Sequence, residues 1–159
     1  MSVIGKSNQL DQIKLKEGDR TIKMWKDKYI IGVEKIDEQH KELFCRVSGF
    51  LFLLRRNGNC EDTARKAQET LEFMQSYIVT HFEDEESYQK EINYLGLRMH
   101  KEIHEQIKYE VCIFAERFND EGYSKDLVQK FASKLLAWMI NHVGVCDREI
   151  AYFAKENST

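Results

Sequence analysis

The sequence predicts an all-α protein: an up-down-up-down antiparallel four-helix bundle with a non-helical N-terminal extension. Three observations carry this. The 159 residues contain no proline, and long stretches are built from Leu, Glu, Lys, Gln and Ala, which favour helix. Three breaks, "RNGNC" (56–60), "NYLGL" (93–97) and "NDEGYS" (119–124), combine glycine with asparagine or aspartate, the residues of helix ends and turns. The connections between the resulting segments are short, which makes neighbouring helices antiparallel.

Residues 1–24 form a polar preface, and the bundle domain is expected over 25–159. Segment one, about 37–56, carries a stripe of Ile36, His40, Phe44, Val47, Leu51 and Leu54. Segment two, about 61–92, carries Leu71, Met74, Ile78, His81, Glu85 and Tyr88. Segment three, about 97–119, carries Leu97, His100, His104, Ile107, Val111, Phe114 and Phe118. Segment four, about 124–155, carries Leu127, Phe131, Leu135, Trp138, His142, Glu149 and Phe153. Spacings that alternate between three and four place each set on one helix face, and an apolar face of this kind packs inward.

Composition narrows the function. One domain of this length can bury a real core. The formal net charge of −3 gives no basic footprint for nucleic acid or an anionic membrane. No apolar run approaches the roughly 20 residues that span a bilayer. The N-terminus has no apolar signal core, so a cytoplasmic location is expected. Cys45, Cys60, Cys112 and Cys146 form no C-x-x-C pair, which argues against a zinc ribbon. They are expected as free thiols that act as small buried hydrophobes.

The stretch "HFEDEE" (81–86) holds the main functional signal. Glu85 is four residues after His81 and shares its face, whereas Asp84 and Glu86 point elsewhere. His100 and His104 pair in the same way on the next segment, and the short turn at Gly96 brings the two pairs to one level. All five histidines of the chain lie on inward stripes. Buried imidazoles at one level would repel one another when protonated. A metal removes the difficulty, because neutral imidazole binds it and a carboxylate balances its charge. Five nitrogens and a carboxylate exceed the needs of one tetrahedral zinc and suit iron, as two ions.

His142 leaves two candidates for a further ligand. On a regular helix Asp147, five residues on, lies about 140° away from it, and Cys146 is better placed. Either Cys146 is the ligand, or a wide π-type turn brings Asp147 into line. Gly144 lies inside that turn.

The ordered set His40, "HFEDE" (81–85), "HKEIH" (100–104) and "HVGVCD" (142–147), with the lead-in from Trp25 to Phe44, resembles the hemerythrin family, bacterial members in particular. The resemblance runs from residue 25 to about 155. It implies a non-haem di-iron centre with a bridging oxo or hydroxo group. His100, His104 and His142 would hold one iron, and His40 and His81 the other. Glu85 and Asp147 would bridge both, and dioxygen would bind at an open position on the second iron. Phe82, Ile103, Trp138 and Met139 resemble the family's apolar oxygen pocket, although a Trp and Met stripe also suits plain core. The implied function is reversible dioxygen binding by a carrier, store or scavenger. The alternatives are a di-iron reductase of peroxide or oxygen, and a regulatory module with a redox or signalling partner.

Overall fold

The computed structural model describes residues 24–56 and 59–158. A single 3-10 turn, Asp27–Tyr29, leads into α1 (Glu34–Arg55), α2 (Cys60–Glu91), α3 (Leu97–Glu121) and α4 (Lys125–Trp138). A π-helical segment, Met139–Cys146, then joins α4 to α5 (Asp147–Asn157). Trp138, Met139, Cys146 and Asp147 all keep right-handed helical dihedrals, so α4, the π segment and α5 form one continuous fourth rod. Helix α2 packs between α1 and α3, and the fourth rod closes against all three. The all-α four-helix bundle is thus the observed fold, with no strand among the described residues. Apart from Met24, the expected extension lies outside the described residues.

Local chemistry explains the ends. The Asn59 side chain accepts from the Asp62 amide at 2.8 Å, and Ser124 Oγ accepts from the Leu127 amide at 3.2 Å. Each satisfies an amide that the first helical turn leaves unbonded. Helix α3 stops at Gly122, whose φ of +76° strains any residue with a Cβ. Helix α1 starts three residues before the expected 37. Buried Asp37 accepts from the Ile31 and Gly32 amides at 2.8 and 3.0 Å, which folds the lead-in back onto the helix start.

The core has two parts. Phe50, Phe131 and Phe118 fill the end away from the histidines, with ring centroids 5.5 to 6.0 Å apart. Each such ring contributes about 1.5–3 kcal/mol by burial. Near the histidines, the rings of Trp25 and Tyr29 pack on Phe44 at 5.4 and 5.0 Å. The lead-in therefore forms a wall of the domain.

Two expectations change. Glu149 is exposed, and Asp147 and Ile150 are buried in its place. The π segment adds a residue to the turn, which rotates every later side chain by about 100° relative to a regular helix. The cysteines are not core hydrophobes: Cys45, Cys60 and Cys112 are exposed and Cys146 is half-buried, all as free thiols. The first three lie on the outward faces of α1, α2 and α3.

Candidate metal centre

All five histidines, Glu85 and Asp147 are buried, and they converge in two groups. Glu85, His100, His104 and His142 form one. His40, His81, Glu85 and Asp147 form the other. Glu85 belongs to both. Its Oε2 lies 3.1 Å from His104 Nε2, 3.5 Å from His100 Nε2, and 3.8 Å from both His81 and His142 Nε2. Asp147 spans the groups with its two oxygens. Oδ1 lies 3.2 Å from His100 and from His142, and Oδ2 lies 3.1 Å from His40.

The π segment makes this possible. The Asp147 amide donates to the His142 carbonyl, a bond that spans five residues and turns both side chains to one side. Cys146 belongs to neither group. Gly144 has its own reason: a Cβ there would meet Tyr29 Cε1 at 3.3 Å. The lead-in wall packs directly onto the wide turn.

The donors fit metal ions better than they fit one another. Glu85 and Asp147 have no hydrogen-bond partner for any of their four carboxylate oxygens, and His100 Nε2 has none either. Such buried groups left unpaired cost several kcal/mol. His81 Nδ1 donates to Gln39 Oε1, and His104 Nδ1 donates to Glu86 Oε1, both at 2.8 Å. With the protons held there, each Nε2 presents a lone pair inward. His40 and His81 Nε2 are 3.1 Å apart, as are His104 and His142 Nε2. Two ligands at about 2.1 Å from one ion, at a right angle, stand roughly 3 Å apart.

The metal-free electrostatics agree. Burial pushes His81 down to about 4, against the pull of Glu85. Burial also opposes the proton on His100, but the Asp147 and Glu85 carboxylates beside it outweigh burial and raise His100 to about 9. His142 is likewise raised, Asp147 overcoming burial. Burial would raise Glu85 and Asp147, yet histidine partners hold both below the ordinary carboxylate range. Without metal, protons on imidazole balance the two carboxylates.

A cavity of about 20 Å³ adjoins His81 and His142, walled by Phe82, Trp138, Tyr77, Ile78, Ile107 and Val143, with Leu43 and Met74 beyond. It has room for a single very small molecule. Phe82 also stacks on His104, with centroids 3.7 Å apart and planes within 4°. Of the four expected pocket residues, Phe82 and Trp138 line the cavity. Met139 is buried but outside its wall, and Ile103 is 36% exposed on the outer side of α3. Adjacency in sequence to His104 turns Ile103 away from the site, since neighbours on a helix are about 100° apart.

The sequence reading missed Gln39, Glu86, Asp84 and Tyr77. Glu86 does not simply point elsewhere, because its side chain reaches His104. Asp84 accepts from Gln39 Nε2 at 2.7 Å and from Lys35 at 2.8 Å. The Tyr77 hydroxyl donates to the Gln39 carbonyl at 2.8 Å, and its ring stacks on His81.

The hemerythrin HHE cation-binding domain model matches residues 31–153. The chain is 30% identical over 129 residues to a bacteriohemerythrin of Clostridium acetobutylicum, covering 79% of this chain and 96% of that one. A bacteriohemerythrin of Pseudomonas paraeruginosa is 29% identical over 76% of this chain and 73% of its own. A myohemerythrin of Theromyzon tessulatum is 27% identical over 75% of this chain and 82% of its own. The chain belongs to the hemerythrin family. That family is known for oxygen binding at a di-iron site, and the buried histidine and carboxylate cluster suits such a cofactor. Among the described residues, no helix is long and apolar enough to cross a membrane.

Proposed function

We propose that this protein binds dioxygen reversibly, as a carrier, store or local scavenger. His100, His104 and His142 would hold one iron, and His40 and His81 the other. Glu85 and Asp147, which reach both groups, would be shared by the two ions. When bound, the iron pair would supply the electrons that dioxygen binding draws on.

The observation that carries this reading is the state of the protons around the cavity. Apart from His81 and His142 its wall is mostly hydrocarbon, and the two other protic side chains, Tyr77 and Trp138, are turned away. The Tyr77 hydroxyl is committed to the Gln39 carbonyl, and burial holds its acidity well below that of an ordinary phenol. The Trp138 indole N–H donates to Glu110 at 3.0 Å, and Lys134 pairs with the same carboxylate. A site that must return dioxygen unchanged has to exclude water and withhold protons that would release peroxide. The two-histidine group would also leave its iron one imidazole short of the other, and the cavity touches one histidine of each group, His81 and His142.

The test is anaerobic reduction followed by stopped-flow mixing with dioxygen. The reading expects an absorbance that forms at one dioxygen per two irons, persists, and disappears on purging with argon. Rapid turnover of peroxide or dioxygen with a reductant, without that persistent absorbance, would assign the site to a reductase instead.

A further inference from the structure

We propose that Glu86 is a positioning residue which, by accepting the His104 Nδ1–H bond, favours the ferric state of the iron in the three-histidine group. The inference rests on the di-iron reading above.

Each group contains one histidine whose outer nitrogen is held from outside. The two holders differ in charge. His104 is held by the Glu86 carboxylate at 2.8 Å, and His81 by the Gln39 amide oxygen at the same distance. A carboxylate acceptor draws the Nδ1 proton toward itself and makes the imidazole a stronger donor. A neutral amide does so more weakly, since hydrogen bonds to an ionised group are roughly twice as strong. Asp84 hydrogen-bonds Gln39 rather than His81, and Lys35 offsets its charge at 2.8 Å.

Glu86 is not better explained as a surface ion-pair partner. Its other oxygen lies 3.8 Å from Lys101, a full ångström beyond its contact with His104. Its side chain is largely buried, whereas the Lys101 side chain is 41% exposed. The Phe82 ring stacked on His104 fixes the plane of the imidazole, so the carboxylate meets it in one orientation. The ferrous state should thus be less favoured at the three-histidine end than at the two-histidine end.

The experiment compares Glu86→Gln with Glu83→Gln, which removes the same charge from an exposed position of the same run. Iron content is measured first, then the midpoint potential by spectroelectrochemical titration under argon, then iron loss to a chelator. Glu86→Gln should load two irons, show a more positive potential than both wild type and Glu83→Gln, and lose iron about 10–100-fold faster. Glu86→Asp should restore part of the wild-type potential. A potential in Glu86→Gln equal to that of Glu83→Gln overturns the proposal, even if iron is lost faster. If the variant holds no iron, the metal-free wild type decides by 15N NMR of its histidines. A His104 proton fixed on Nδ1 sustains the contact, and a mixture of tautomers overturns it. A wild-type chain that holds no iron would overturn the di-iron reading, and the 15N result would still judge the contact.

Discussion

Asp147 donates its amide proton to the carbonyl of His142, five residues earlier, and both side chains enter the same buried cluster. In a regular helix the two side chains would diverge by about 140°. The wide turn therefore brings Asp147, rather than its neighbour Cys146, into the buried cluster with His142.

Asp147→Ala should abolish binding of the iron pair, as should Glu85→Ala, because each carboxylate faces both histidine groups. Cys146→Ala should keep two irons per chain. Elemental analysis of the three purified variants checks this. Iron loss in Cys146→Ala equal to that in Asp147→Ala would show that the thiol holds metal.

Gly144→Val should destabilise the protein by about 1–3 kcal/mol through overpacking. A Cβ at this position already stands 3.3 Å from Tyr29 Cε1, and a branched side chain adds bulk there. Combining it with Tyr29→Leu should recover part of the loss, as read by chemical denaturation of all four members of the cycle. Strict additivity would mean that the lead-in and the wide turn do not press on each other.

Iron binding should release protons near neutral pH. In the metal-free chain His100 is raised to about 9 and His142 is also raised, so both carry protons that a metal must displace. The sign of the linkage follows. A raised histidine pKa stabilises the metal-free fold fully below about 6.5, and that contribution is lost as pH rises through about 9. His81, lowered to about 4, acts oppositely: its contribution is present above about 6.5 and lost as pH falls toward 4. Calorimetric iron titrations in buffers of different ionisation enthalpy should show proton release at pH 7 that shrinks above pH 9. Release independent of pH across that window would contradict the charge balance.

Iron removal should lower the melting temperature, because the ligands come from all four rods and only the folded chain assembles them. At free iron 100-fold above Kd the stabilisation is about 2.7 kcal/mol, or roughly 5–10 °C for a domain of this size. Scanning calorimetry of the loaded and metal-free forms reads it directly, and equal melting temperatures would count against a shared site.

Much of the architecture was legible because helix periodicity is local. The stripes through Phe44, Met74, Ile107 and Phe131 are set by a spacing of three and four, and the same arithmetic put every histidine inside. What escaped notice depends on reach and register. Glu86 lies one residue off the inward face, yet its flexible side chain bends back to His104. Gln39 sits beside His40 in sequence but serves His81 across the helix interface. A regular period turns Glu149 inward, whereas the extra residue of the π segment gives that place to Ile150. Ile103 adjoins His104 in sequence, yet a helix sends neighbours in different directions and leaves Ile103 on the outer side. Residues such as Tyr77 and Val143 complete the cavity only once three rods are packed, so no single segment announces them.

The most direct test of the central claim is the iron content of the intact protein, loaded with ferrous iron under argon, desalted, and measured against protein concentration. Seven buried donors in two overlapping groups predict two irons per chain in the wild type and loss of that pair in Glu85→Ala. One metal per chain, or two irons retained without Glu85, would contradict it.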